Sequence, residues 1–235
     1  RTPRPHSSKA YRAGYLRDVR TWRPVATVCR LTGFWSSMDT DDALIAGLTA
    51  NLDGTFEALV LAHQDRLYSI ALRVLGDPAD AEEAAQDALV RAYRALAGYD
   101  AARIRELRLR PWLATIVLNL CRSRRTRGAA TRATLSLDAP LPLAAEPRAG
   151  AATSPTAVAD RHAERAIWAD LLLRLSPAHR EAVVLRHVDG LTYPEVASAL
   201  GRPEGTVKAQ VHRGLAQLRA AYEADARLHP EEMTA

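Results

Sequence analysis

Two sets of side chains in this chain have the types and spacing to carry chemistry. The first is acidic. Glu82, Glu83 and Asp87 lie close together, and carboxylates three or four positions apart share one face of a helix. General acid–base work needs two such groups in environments that drive their pKa values apart. An amphipathic helix does not supply that, and these acids read as a solvated face or a partner surface. No cluster of His, Cys and carboxylates has metal-ligand spacing, and there is no glycine-rich phosphate loop. The expectation is a protein that is not an enzyme, with no cofactor and no small-molecule substrate.

The second set is basic and suits nucleic acid. Residues 190–219 read GLTYPEVASALGRPEGTVKAQVHRGLAQLR. The pattern predicts a short helix over Tyr193–Leu200, a tight turn at Gly201 and Pro203, and a second helix opening near Glu204. That is the layout of a helix-turn-helix, whose second helix enters the DNA major groove. Val196, Ala197 and Leu200 supply the inner face of the first helix, and Val207, Val211, Leu215 and Leu218 that of the second. Thr206, Lys208, Ala209, Gln210, His212 and Arg213 remain for the outer faces. Thr206 suits phosphate at a helix start. Lys208 and Arg213 can reach guanine or phosphate, and Gln210 can pair with adenine. One sequence does not divide base from phosphate contacts.

Residues 111–127, PWLATIVLNLCRSRRTR, form a further basic constellation. Trp112, Leu113, Ile116, Val117 and Leu120 are packing residues. Asn119 stands inside the apolar run, and Arg122, Arg124, Arg125 and Arg127 end it. Two readings are open. One is a buried, hydrogen-bonded Asn with an arginine tail that complements the helix dipole. The other is a single-strand surface, where an extruded base enters a pocket and arginines track the phosphates.

These residues need helices to position them. Phe56, Val60, His63, Leu67, Ile70, Ala71 and Val74 recur at spacings of three and four, one face of a long helix. Gly76-Asp77-Pro78 stops it. Asp80 or Pro78 opens the next helix, at about 79–97, with acids early and Arg91 and Arg94 late. Gly98 ends it, an Arg-rich loop follows, and Pro111 opens a helix to about Arg125. Residues 129–162 are rich in Ala, Pro and Thr and read as a linker. Beyond it, Ile167, Leu171, Leu172 and Leu175 mark one helix. Ser176-Pro177 opens another, with Val183, Val184, Leu185 and Val188 on its core face and Asp189-Gly190 at its end.

Composition agrees. Of 235 residues, 48% are hydrophobic but only 6% aromatic, which favours helices cored with Leu, Val, Ile and Ala. The formal charge of +5 is uneven. Residues 1–37 hold eight basic side chains and one acid, a balance of +7, so residues 38–235 carry −2. DNA affinity must therefore come from local patches. Residues 1–37 lack helical periodicity, and Met38 reads as the natural start. Cys29 and Cys121 make neither a disulfide framework nor a zinc site, and Cys121 reads as a packing residue. No apolar run has the length of a membrane span, and a cytoplasmic setting is expected.

The order of these segments resembles bacterial RNA polymerase sigma factors of the extracytoplasmic-function group. FEALVLAHQDRLYSIALRVLGDPADAEEAAQDALVRAYRAL (56–96) and PWLATIVLNLCRSRR (111–125) are similar to sigma region 2. LSPAHREAVVLRHVDGLTYPEVASALGRPEGTVKAQVHRGLAQLR (175–219) is similar to region 4. The resemblance implies an all-α fold of two small helical domains joined by a flexible Ala/Pro-rich linker. The units are an N-terminal extension (1–37), a region 2-like domain (50–128), the linker (129–162), a region 4-like helix-turn-helix domain (163–224) and a tail (225–235).

It also implies function: an alternative sigma factor that binds core RNA polymerase and directs promoter-specific initiation. Asp80, Glu83, Gln86, Asp87 and Arg91 would dock on the β′ clamp, and the second domain would meet the β flap. Trp112, Asn119, Arg122, Arg124 and Arg125 would serve the minus 10 element, Asn119 at the pocket for a flipped base. Arg202, Thr206, Lys208, Ala209, Gln210, His212 and Arg213 would serve the minus 35 element. An anti-sigma factor is a further implied partner. The family often has Arg where Thr115 stands, an aromatic at Ala114, and Ser-Arg at Ala209-Gln210, so promoter sequence does not carry over. The alternative is a stand-alone helix-turn-helix regulator, which binds a two-fold operator without polymerase.

Overall fold

Local signals start and stop the helices in this computed structural model, which describes residues 38–134 and 167–228. Helix α1 (Met38–Ala50) is followed directly by α2 (Leu52–Leu75). The Asn51 side chain accepts from the Gly54 N–H at 3.0 Å and caps the start of α2. Gly76, at φ 84°, ends α2 by donating to the Leu72 carbonyl at 2.8 Å. Helix α3 (Pro78–Ala97) then opens on Asp77, whose carboxylate accepts from the Asp80 N–H at 2.8 Å, with proline in the first turn. The capping residue is thus Asp77 rather than Asp80, and Pro78 opens the helix.

The buried face of α3 is nearly all alanine: Ala81, Ala84, Ala85, Ala88 and Ala92, with Leu96 at its end. Small side chains let the backbones of α2 and α5 (Leu109–Thr134) approach, and Leu67, Ile70, Val74, Leu113 and Val117 fill the space between. A neighbouring cluster joins Leu44 and Leu48 of α1 to Leu59, Leu96, Ile104 and Leu109. The first helical unit therefore begins at Met38, ahead of the expected 50.

Three further boundaries differ from the sequence-based expectation. The Arg-rich stretch before Pro111 is not all loop. Asp100 caps a short helix α4 (Ala101–Arg105), which buries Ile104. Helix α5 starts at Leu109, with Pro111 in the first turn, where no backbone hydrogen bond is lost. It continues to Thr134, six residues into the expected linker, because its alanine-containing end meets no proline before Pro140. The rest of that linker, the tail beyond Leu228, Cys29 and the extension 1–37 lie outside the described residues.

The second half begins with α6 (167–174) and α7 (Pro177–Val183), which runs into a π-helical turn, Val184–Val188. The turn is closed by the Asp189 N–H on the Val184 carbonyl at 2.9 Å, a bond over five residues. Helix α8 (Tyr193–Leu200) and helix α9 (Glu204–Leu228) form the helix-turn-helix, with Gly201 left-handed between them at φ 62°. Glu195 accepts from the Thr192 N–H at 2.8 Å and its hydroxyl at 2.7 Å, the capping-box arrangement. Helix α9 extends into the expected tail, and proline is not met until Pro230. Trp168 stacks on Tyr222 at 5.3 Å, 3° from parallel, and ties α6 to α9.

The two halves do not stand apart on a tether. Buried residues of α2, α3 and α5 and those of α6 through α9 form one continuous apolar cluster. The physical reason is that α2 and α5 each keep an apolar flank that α7, α8 and the π turn cover.

Candidate nucleic-acid and partner interfaces

The acidic helix presents most of its predicted docking residues to solvent. Asp80, Glu83, Gln86 and Arg91 are exposed on α3, opposite its alanine face, and Asp87 is half-buried. Gln86 donates to Glu82 at 3.3 Å. Glu83 and Asp87 are not only solvent-facing. Their carboxylates hold the Arg124 guanidinium of α5 at 3.0 and 2.8 Å.

The predicted minus 10 set is therefore split across faces of α5. Arg124, at 8% side-chain exposure, points into α3. Asn119 is exposed, which removes the buried-Asn reading, and its Oδ1 accepts from Arg122 at 3.2 Å. Arg122 in turn donates to both oxygens of Glu181 in α7, at 3.1 and 2.8 Å. Those bonds hold the Arg122 guanidinium above its usual pKa. Arg125 lies 3.9 Å from the same carboxylate. Trp112 is half-buried and tilts against Tyr99, with ring centroids 6.3 Å apart, so it packs the turn between α3 and α4 against α5. Cys121 is buried, and burial pushes its thiol up to about 12, an unreactive packing residue.

The second DNA set sits where a helix-turn-helix would put it. Val207 and Val211 are buried against Val196 and Leu200. Thr206, Lys208 and Arg213 are exposed, and Ala209, Gln210 and His212 half-exposed. Lys208 pairs with Glu204 at 2.5 Å, one turn back. This contact is solvent-accessible and of small energetic weight, open to exchange for a phosphate. Arg202 donates to Gln210 at 3.1 Å and to Glu181 at 3.0 Å.

Sequence reasoning did not find the four residues that join the halves. Glu181 is 1% exposed and faces guanidinium groups from both predicted DNA sets. Arg66 and Asp189 form a two-bond pair, each bond 2.5 Å. Arg180 donates to the Val74 carbonyl of α2 at 2.8 Å, to Leu172 at 2.9 Å and to Leu175 at 3.1 Å, and also to Leu173. It thereby satisfies the open carbonyls at the ends of two helices, one in each half. Charged residues inside the apolar pattern of α2 and α7 were the only visible signal, and it did not name their partners. Among the described residues, no cluster of His, Cys and carboxylates could hold a metal ion, and no helix is long and apolar enough to cross a membrane.

Family models for sigma-70 region 2 and sigma-70 region 4 match residues 59–131 and 165–218. An RNA polymerase sigma-E factor of Streptomyces avermitilis is 35% identical over 168 residues, 72% of this chain and 85% of that one. The ECF RNA polymerase sigma factor SigM of Mycobacterium tuberculosis is 32% identical over 198 residues, 83% of this chain and 91% of its own. CnrH, solved in complex with the cytosolic domain of CnrY, superposes with a TM-score of 0.56 at 27% identity over 79% of this chain and 98% of CnrH. The sigma factor RpoE of Bartonella quintana, solved with the anti-sigma factor NepR, shares the fold at a TM-score of 0.54 and 22% identity, over 72% of this chain and 98% of that one.

Proposed function

We propose a division of labour among named residues, from the premise that the chain belongs to the sigma-70 family of RNA polymerase sigma factors, in its extracytoplasmic-function group. It is an alternative sigma factor that binds core RNA polymerase and promoter DNA and directs transcription initiation. In this division α3 docks on the β′ clamp through Asp80, Glu83, Gln86, Asp87 and Arg91. Polar, exposed side chains suit an interface that must form and release. The first unit, α1 through α5, carries this docking face, and the second, α6 through α9, carries the upstream DNA contact.

Asn119 takes a base extruded from the minus 10 element while Arg122 and Arg125 follow the strand, and Trp112 holds the supporting packing. Arg124 acts through Glu83 and Asp87, aligning the docking face with α5 rather than touching DNA. The minus 35 duplex is read by α9, with Thr206, Lys208, Ala209, Gln210, His212 and Arg213 toward the groove and Arg202 beside it. The second half also meets the β flap. The protein performs no covalent chemistry and works in the cytoplasm, where polymerase and promoter are. An anti-sigma factor is a further partner, supported by the solved relatives that carry CnrY and NepR.

The observation that carries the division is the placement of three separate sets, on α3, α5 and α9, each with exposed polar side chains. Transcription reconstituted with purified core polymerase on a library of genomic fragments tests it. Lys208→Ala with Arg213→Ala is expected to keep core binding and lose promoters that need the upstream element. Equal loss of core affinity from these changes and from Arg91→Glu overturns the division.

A further inference from the structure

One carboxylate connects the two surfaces that must meet DNA. Hydrogen bonds run from Asn119 through Arg122 to Glu181, then through Arg202 to Gln210, each link between 2.8 and 3.2 Å. Arg125 stands 3.9 Å from the same carboxylate. A residue expected to take a melted base and a residue expected to read duplex are thus two bonds either side of Glu181. The minus 10 and minus 35 elements lie about 25 base pairs apart, on the order of 85 Å of B-form duplex at about 3.4 Å per pair. Surfaces joined by a single side chain cannot reach both.

We propose that Glu181 is an autoinhibitory latch: an internal anion that occupies the DNA-contacting arginines and holds the two halves closed until polymerase separates them. The inference rests on the assignment of Arg122, Arg125 and Arg202 to DNA contact. A carboxylate is a fitting stand-in for phosphate, because guanidinium groups bind both through the same paired N–H geometry. The latch does not act alone. Asp189 holds Arg66 through two bonds and Arg110 through its backbone carbonyl, and Thr115 donates to the Ala199 carbonyl at 3.4 Å. Opening exchanges these contacts for water, polymerase and DNA. Polymerase therefore needs only a greater affinity for the separated form to shift the balance.

The test uses the full chain. Spin labels on Ala79→Cys and Ala220→Cys, both exposed positions, report the separation of the halves in a Cys29→Ser background, where buried Cys121 remains unlabelled. The wild type is expected to give one narrow distance distribution, and Glu181→Gln a broad, longer one. Core polymerase is expected to lengthen both. In parallel, Glu181→Gln is expected to bind a 30-nucleotide oligothymidylate about tenfold more tightly than wild type, with a steeper loss in salt. A Glu181→Gln distribution as narrow as wild type overturns the latch. A chain that opens with no gain in oligothymidylate affinity overturns the DNA assignment of the arginines, and the autoinhibitory role falls with it. If Glu181→Gln loses helical circular dichroism, the Arg122→Gln, Arg202→Gln double variant breaks the same contacts from the other side. Its distance distribution then decides between latch and no latch by the same criterion.

Discussion

Arg66 and Asp189 are 123 positions apart in the chain and meet through two parallel hydrogen bonds of 2.5 Å, with side chains 3% and 1% exposed. Desolvating two charges costs several kcal/mol, and paired geometry offsets it only when both partners are present. Asp189→Asn leaves the Arg66 charge buried. It is expected to lower the stability of the closed chain by about 3–5 kcal/mol, read as a lower midpoint in urea unfolding. The loss is limited by the free energy that joins the halves, because Arg66 regains water once they part.

Two glycines of α9 give opposite expectations. A Cβ on Gly214 would sit 2.6 Å from Val183 and 3.4 Å from the His179 Cβ, so α7 and α9 cross at glycine distance. Gly214→Ala is expected to cost about 1–3 kcal/mol through overpacking. A Cβ on Gly205 meets nothing within 4 Å. Gly205→Ala is expected to add about 0.4–1 kcal/mol by restricting the unfolded chain. Thermal unfolding of both variants checks the contrast; a stabilised Gly214→Ala contradicts the crossing.

His187 makes stability depend on pH. Burial, with Arg186 and His212 nearby, pushes its pKa from the ordinary 6.5 down to about 4. The unfolded chain then binds this proton more readily than the folded one. Stability is therefore full above about 6.5 and is lost as pH falls from 6.5 toward 4, by up to about 3 kcal/mol. His187→Gln is expected to flatten that part of the urea midpoint–pH curve. An unchanged slope contradicts a half-buried His187 held neutral in the folded chain.

Docking and folding separate at two positions of α3. Arg91 is exposed, whereas Asp87 also holds buried Arg124. Arg91→Glu is expected to weaken core polymerase binding about tenfold, or about 1.4 kcal/mol, with the melting temperature unchanged. Asp87→Arg is expected to weaken it too and to lower the melting temperature, because it sets a second cation against Arg124. Fluorescence anisotropy with labelled protein and a thermal melt distinguish them.

The helix-turn-helix was the most legible part of the chain. Val196, Leu200, Val207 and Val211 lie on a helical period, Gly201 and Pro203 mark the turn, and all four apolar residues are buried. Helices α2 and α3 were legible for the same reason. The α1 and α4 helices were not, since α1 adds only Leu44 and Leu48 to a core and α4 has five residues. The closed packing was invisible because its contacts pair residues far apart in the chain. Glu181 in REAVV looks like an ordinary surface acid until Arg122, 59 positions away, is brought beside it. Periodicity reports which face is buried, not what covers it.

The double cap made by Arg180 also orders events during synthesis. Its bond to Val74 joins residues 106 positions apart. At about 5–20 residues per second, roughly 5–20 s pass between translation of the two. For that interval the Val74 carbonyl lacks its Arg180 donor and the apolar flank of the first half is uncovered. The nascent chain is then at its most prone to aggregate or to be captured by a chaperone. It is also unlatched, so the first half is open to polymerase before the second half exists.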